Sequence, residues 1–222
     1  MTVNDIYVLC QYIVNKNQQG YLSPSQFNTV INQGQRSYAT YLLGRVQDYM
    51  PNRPMSKVEF GNNSVIRQRL SPIIYGYNLT VDGNGYSPYP SDYLQTDAML
   101  SIYGFNRVRF VEQDSLYAYY NSSIDPIATN PIYLIQDTGF QFYPTTTANA
   151  KLSYVRNPPD MVWGYTDDLR GRPVYSEAHS TQPVWDDASL FEIVVRALAM
   201  VGVNLQASSV SQFAEQIKKG GE

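Results

Sequence analysis

With one cysteine and one histidine, the chain offers little for metal or covalent chemistry. Cys10 cannot form an intramolecular disulfide, and Cys10 and His179 are too far apart in sequence to read as a zinc site. Cys10 also falls on an apolar helical stripe, where a core role fits better than a reactive one. Charge is scarce as well. Charged residues are 16% of the 222, against roughly 25% in an average soluble domain, and the formal net charge is −3. No broad basic field is available for gripping nucleic acid. The longest apolar run, residues 193–203, contains Arg196 and is too short to span a bilayer. The opening MTVNDIYVLCQYIV has no basic leader and no cleavage site, so the expectation is a soluble protein made inside the cell, with no signal peptide. A glycine-rich phosphate cradle, a G-x-S-x-G elbow, internal repeats and low-complexity tracts are all missing.

What is abundant is tyrosine, with 20 residues. Tyrosine joins a large apolar face to a hydrogen-bonding tip, which suits both the edges of a β-sheet and surfaces buried only on assembly.

Helical periodicity marks both ends of the chain. Ile6, Leu9, Cys10, Ile13 and Val14 form one stripe, capped by Thr2 or Asn4 and ended by residues 15–20. Ser23 then reads as an N-cap, Pro24 as the first helical residue and Gln26 as the partner in a capping box. Phe27, Val30, Ile31, Tyr38, Tyr41, Leu42 and Val46 give that second helix an apolar face as far as about Tyr49, before Pro51 and Pro54. Gly34 and Gly44 weaken it or admit a close neighbour. The two helices are expected to form an antiparallel pair. A third helix starts at Asp186 or Asp187 and buries Leu190, Phe191, Val194, Val195, Leu198 and Val201. After Gly202, a second capping box, Ser209 with Gln212, precedes Val210, Phe213, Ala214 and Ile217, with Lys218 and Lys219 at the end.

Between these ends lie short segments rich in Tyr, Val, Ile and Phe: residues 64–70, 73–81, 107–112, 132–136, 139–143 and 150–156. Asp137-Thr138-Gly139 reads as a hairpin turn, and Asp82-Gly83-Asn84-Gly85 as a turn or loop tip. Residues 91–101 are ambiguous and admit a short helix. The expected class is therefore α+β. Helices at residues 1–50 and 184–222 form a bundle, residues 51–158 a β-rich sandwich or barrel-like module, and residues 159–183 an extended arm. The arm holds prolines, glycines and Trp163 without periodicity, so it is expected to be mobile in the free subunit and to order only on assembly.

Candidate chemistry is thin. His179 sits among Glu177, Ser180 and Thr181 in an irregular stretch, where an exposed structural role is the simpler reading. The Asp82 turn lacks the later ligands of a calcium loop, with Tyr86 in place of one of them. Of the acid pairs, Asp186-Asp187 caps a helix and Asp167-Asp168 lies in the arm. Arg53, Lys57, Arg67 and Arg69 form a mildly basic stretch, and Arg107 with Arg109 another. With Tyr75 and Tyr77 nearby they admit nucleic-acid contact, although a solvated strand face or a salt-bridged interface fits the net charge better. The expected interface anchors are Trp163, Tyr165, Tyr175 and Trp185. No catalytic, cofactor or metal residue is expected.

Two stretches carry a resemblance. YLSPSQFNTVINQGQ, and KLSYVRNPPDMVWGY leading into DDASLFEIVVRALAMVGVNLQ, resemble structural proteins of crAss-like and related Bacteroidetes phages. The order of parts is similar to that of head–tail adaptor, or tubular-tail ring, proteins of short-tailed phages: helical hairpin, PSDYL, a β segment ending in FQFYP and SYVRNP, then terminal helices. The similarity covers most of the chain through loose motifs, and the long arm departs from a minimal adaptor. The resemblance implies a non-enzymatic virion protein at the head–tail junction. It would form a closed ring, a dodecamer, below the portal protein, contacting neighbouring tail and ring proteins and passing genomic DNA without sequence specificity. Its helices would surround the channel, with the β module outside. The interfaces of such a ring are heterologous, so opposite faces of one subunit must match. A second reading is a tail-associated receptor- or glycan-binding component, whose exposed rings would stack on sugars. A third, a hydrolase with a cryptic carboxylate pair, has no positive support in the residues.

Overall fold

The computed structural model describes residues 1–16, 20–47, 57–101, 106–120, 125–147 and 149–202. The chain is mixed α+β, and its described residues form two compact units. One comprises Met1–Pro72 with Pro158–Glu222, and the other Ile73–Asn157.

The first unit is helical. Helix α1, Val3–Lys16, starts at a reciprocal cap in which Asp5 N–H donates to Thr2 Oγ1 and Thr2 N–H to the Asp5 carboxylate. Helix α2, Pro24–Gln47, starts at the expected capping box. Gln26 N–H donates to Ser23 Oγ at 3.3 Å, and Ser23 N–H to Gln26 Oε1 at 3.0 Å. Helix α3 is Lys57–Leu70, and helix α5 is Asp187–Met200, with Asp186 at its N-cap position. The strand expected at residues 64–70 is therefore helical. Val65 and Ile66 suggested β structure, but Arg67 and Arg69 complement the negative end of a helix. The Ser209–Gln212 capping box and its following stripe, Pro51, Pro54 and Arg53 lie outside the described residues.

Helices from the two ends of the chain meet where α2 packs on α5, while α1 reaches α2 through Tyr7 against Phe27, edge to face at 5.1 Å. Phe27, Ile31, Tyr38 and Leu42 of α2 are buried, as are Leu190, Ile193, Val194, Ala197 and Leu198 of α5. Gly34 permits the approach: a Cβ there would lie 2.9 Å from the Ile193 carbonyl oxygen and 3.1 Å from Ala197 Cβ. We expect Gly34→Ala to lower stability by about 1–3 kcal/mol, since backbone must move. Gly44→Ala, at an exposed helical position with nothing within 4 Å, should raise it by about 0.5–1 kcal/mol. Thermal melts of the two variants check both signs.

The second unit contains two open sheets. One is ordered β1-β7-β3, from Ile74–Leu79, Ala150–Arg156 and Tyr93–Ser101. The other is β2-β6-β5-β4, from Tyr86–Pro88, Gly139–Tyr143, Ile132–Ile135 and Arg109–Phe110. Neither closes into a barrel. A four-residue helix α4, Leu116–Tyr119, lies between β4 and β5. The turn at Asp137-Thr138-Gly139 joins β5 and β6 as expected, and the 82–85 turn leads into β2. Residues 93–101, ambiguous in sequence, are a strand. Register shifts between Tyr93 and Gln95 and between Thr96 and Ala98 break the alternation by which a strand is recognised. Side chains from both sheets share one core: Leu79, Met99, Leu152 and Tyr154 from the first, with Tyr133, Phe140 and Phe142 from the second.

Burial raises several ionisations. The Tyr133 phenol and the Cys10 thiol are each pushed up to about 12, and Tyr7 and Tyr154 also rise well above the ordinary phenol range. Desolvation of the charged form is the leading cause in each case, joined at Tyr154 by its hydrogen bond to Asp92. In the unfolded chain these groups lose their protons at lower pH. The stability they contribute is therefore complete below the ordinary thiol and phenol values and is lost as pH rises through the folded ones. Melting temperature should hold to about pH 9 and fall between about pH 9 and 12.

Candidate assembly surface

The arm, residues 159–183, is held by side-chain amides of α2. Asn32 Nδ2 donates to the Met161 carbonyl and Met161 N–H donates to Asn32 Oδ1, both at 2.8 Å. One turn earlier, Asn28 does the same for Trp163: Trp163 N–H donates to Asn28 Oδ1 at 2.8 Å, and Asn28 Nδ2 to the Trp163 carbonyl at 3.3 Å. One turn later, Gln35 Nε2 donates to the Pro159 carbonyl at 3.0 Å. The spacing has a simple origin. Four helical residues rise about 6 Å and two extended residues span about 6.6 Å, so amides at i and i+4 can serve alternate residues of an extended strand. The arm therefore receives a ladder of hydrogen bonds from a helix in place of a neighbouring strand. Arg36 adds an ion pair to Asp160 at 2.8 Å.

Against the expectation of an arm without partners before assembly, the backbone at residues 159, 161 and 163 is already bonded within the chain. The signal in the sequence is Asn28, Asn32 and Gln35 on one side of a helix, a pattern that by itself names no partner. Asn32→Ala is expected to lower stability by about 2 kcal/mol or more, since two backbone groups at buried Met161 lose their partners. A urea midpoint unchanged from wild type would contradict the ladder.

Trp163 is buried, although the sequence suggested an exposed anchor. Its indole stacks on Tyr7 at 4.1 Å, and its Nε1–H donates to Asn4 Oδ1 at 3.0 Å. Trp185 is buried too, edge-on to Tyr38 at 5.4 Å, with its Nε1–H donating to Gln35. Both tryptophans therefore work inside the unit. Beyond Trp163 the chain runs into a hairpin of β8, Tyr165–Asp167, and β9, Pro173–Tyr175. The hairpin starts where Gly164 passes so close beneath His179 that a Cβ would lie 2.2 Å from the His179 carbonyl oxygen. Tyr165 and Val174 are exposed, Tyr175 is half-buried, and Leu169 at the tip is fully exposed. Of the four proposed anchors, only the two tyrosines remain available to a partner.

Helix surfaces supply more. Val8 and Tyr12 stand one turn apart on α1, and Phe191 and Val195 one turn apart on α5, all exposed along with Met200. Phe191 and Val195 were expected in the core. The covered face of α5 instead centres on Leu190, Ile193, Val194 and Ala197. Tyr41, also read as core, is 41% exposed and lies beneath the Arg196 guanidinium at 4.5 Å.

The basic stretch divides. Arg69 donates to Glu192 at 2.9 Å, tying α3 to α5, which meets the charge of its guanidinium within the unit. Arg67 is exposed on α3, and Arg53 and the side chain of Lys57 lie outside the described residues. The polar candidates also have local roles. Asp82 accepts backbone N–H bonds from Asn84 and Tyr86, and Asp168 accepts from Arg170 and Arg172, so both carboxylates build turns. His179 Nδ1 lies 2.9 Å from Ser176 Oγ, but the two residues bracket one 3-10 turn, Glu177–His179. Among the described residues, no cluster of three or more His, Cys, Asp or Glu side chains could hold a metal ion, and no helix is long and apolar enough to cross a membrane. Comparison with protein-family models gives no match for this chain, and comparison with curated proteins gives none either.

Proposed function

We propose that this chain is a non-enzymatic phage virion protein that forms a closed ring, a dodecamer, in the head–tail connector. In that reading the ring meets the portal protein on one side and tail components on the other, and genomic DNA passes through it without sequence-specific contact. The helices act as a bundle, and the two sheets of the second unit as a sandwich about their shared aromatic core. The observation that carries this reading is a set of large apolar side chains left outside the core formed by the described residues. They are Val8 with Tyr12, Phe191 with Val195, and the hairpin's Tyr165, Val174 and Leu169. Apolar pairs at helical spacing, joined to low charge and many tyrosines, are what a subunit needs on faces that will be covered by neighbours. The resemblance of the helical and SYVRNP segments to phage connector proteins supplies the identity of those neighbours.

Native mass spectrometry and negative-stain imaging of the purified chain, alone and with portal protein, test the proposal. Closed rings or portal-bound rings are expected. A chain that stays monomeric with portal present but retains an oligosaccharide would favour the receptor-binding reading instead.

A further inference from the structure

Among the described residues, every β-sheet edge in the second unit is blunted except one. The outer side of β3 is occupied where Val108 N–H donates to the Met99 carbonyl and Ser101 N–H to the Asn106 carbonyl, and its two register shifts twist the remainder. Strand β2 has three residues and ends in Pro88, and β4 has two. Strand β1 has six residues, Ile-Tyr-Gly-Tyr-Asn-Leu, with no charge, no proline and no bulge. Among the described residues, none of its backbone groups bonds outside its pairing with β7. Such an edge is a template for another strand.

Its side chains show what that strand should carry. Tyr75 and Tyr77 stand opposite Tyr154 and Leu152 of β7, on the face that forms the core. They extend that aromatic layer past its covered part and remain 52% and 45% exposed. We propose that the outer edge of β1 pairs antiparallel with β1 of a second copy of this chain, about a twofold axis at Gly76. This register places Tyr75 opposite the second copy's Tyr77, and Tyr77 opposite its Tyr75, giving two aromatic cross-strand pairs. Gly76 faces Gly76 on the outer face, where neither meets another atom within 4 Å of a Cβ. Both strands are uncharged, and the Arg156 guanidinium of each copy lies 5.6 Å from the centroid of its own Tyr75 ring.

A second copy fits better than a head-to-tail neighbour. Head-to-tail pairing would need another unguarded edge of matching length. Elsewhere the described strand edges are three residues or fewer, or occupied and bulged. Five backbone pairs and four half-covered tyrosines bury on the order of 1,000 Å2, the low end for a specific interface, so the dimer should be weak. The pairing does not rest on the ring reading.

Sedimentation of the full chain over a wide concentration range tests it. A reversible monomer–dimer equilibrium is expected for the wild type. It should be weakened at least tenfold by Gly76→Lys, which places a charge on the edge while leaving the melting curve unchanged. Cross-linking reads the register, since Cys10 is buried and adds no background. Gly76→Cys should form a disulfide-linked dimer at least tenfold faster than Asn78→Cys, whose position faces residue 74 of the second copy. A wild type that stays monomeric throughout, a dimer that survives Gly76→Lys, or equal cross-linking rates at 76 and 78 would each overturn the pairing. Rings built from a subunit with no dimer equilibrium would count against this pairing alone. A dimer lost in Gly76→Lys, with no ring under any condition, would support the pairing and count against the ring.

Discussion

Val194→Asp should leave the helical unit unfolded, while Phe191→Asp, three residues earlier on the same helix, should fold with a near wild-type melting curve and fail to assemble. Val194 is 1% exposed between α5 and its neighbours, and Phe191 is 57% exposed. An unpaired carboxylate at the first site costs on the order of 3–5 kcal/mol, a large share of a total stability of about 5–15 kcal/mol. At the second site the charge stays in water, and its effect falls on whatever subunit covers Phe191 and Val195. Circular dichroism separates folding from assembly, and sedimentation with portal protein reads the latter. If both variants unfold, Phe191 belongs to the core. If Phe191→Asp assembles normally, the α5 stripe is not an interface.

Trp163→Ala should lower stability by about 3–5 kcal/mol, because a large buried ring is removed. It takes with it the stack on Tyr7 and the bond to Asn4, and the amide ladder from α2 loses its packing. Tyr165→Glu, two residues on at 43% exposure, loses only a stack on Trp163 at 5.9 Å and should cost about 1 kcal/mol. Hydrogen exchange over residues 158–183 checks the comparison: protection should collapse in the first variant and persist in the second. A charge at residue 163 is therefore a poor probe of assembly, since unfolding would be mistaken for a lost interface. Charges at Tyr165 or Val174 are the informative ones. Fast exchange throughout the wild-type arm would show that the amide ladder does not hold it in solution.

Signals confined to a few neighbouring residues were legible. The Ser23–Gln26 box, the start of α1 (Thr2 of the two caps the sequence allows), the turn at residues 137–139 and the turn at Asp82 all follow from backbone groups that must be satisfied locally. The close approach at Gly34 was legible only as a possibility, because a glycine in a helix says that something can come near without saying what.

Elsewhere local chemistry was balanced, and distant partners decided. Residues 93–101 mix helix formers with β formers, and they became a strand because β7 offers a ladder on one side. The 3.6-residue period marked an apolar stripe on α5 broader than any single neighbour covers. Which margin is buried depends on where α2 lies, so Phe191 moved from core to surface. The arm lacks periodicity because its partners are side-chain amides on a helix more than a hundred residues earlier in the chain. What the sequence by itself determined was where α1, α2 and α5 begin, where the chain turns at residues 82–85 and 137–139, and that chemistry-bearing residues are few, since each depends on neighbours in the chain. Which apolar residues are enclosed, what holds the arm and which strand edge stays open were decided only by tertiary structure, because burial and backbone pairing depend on groups remote in sequence.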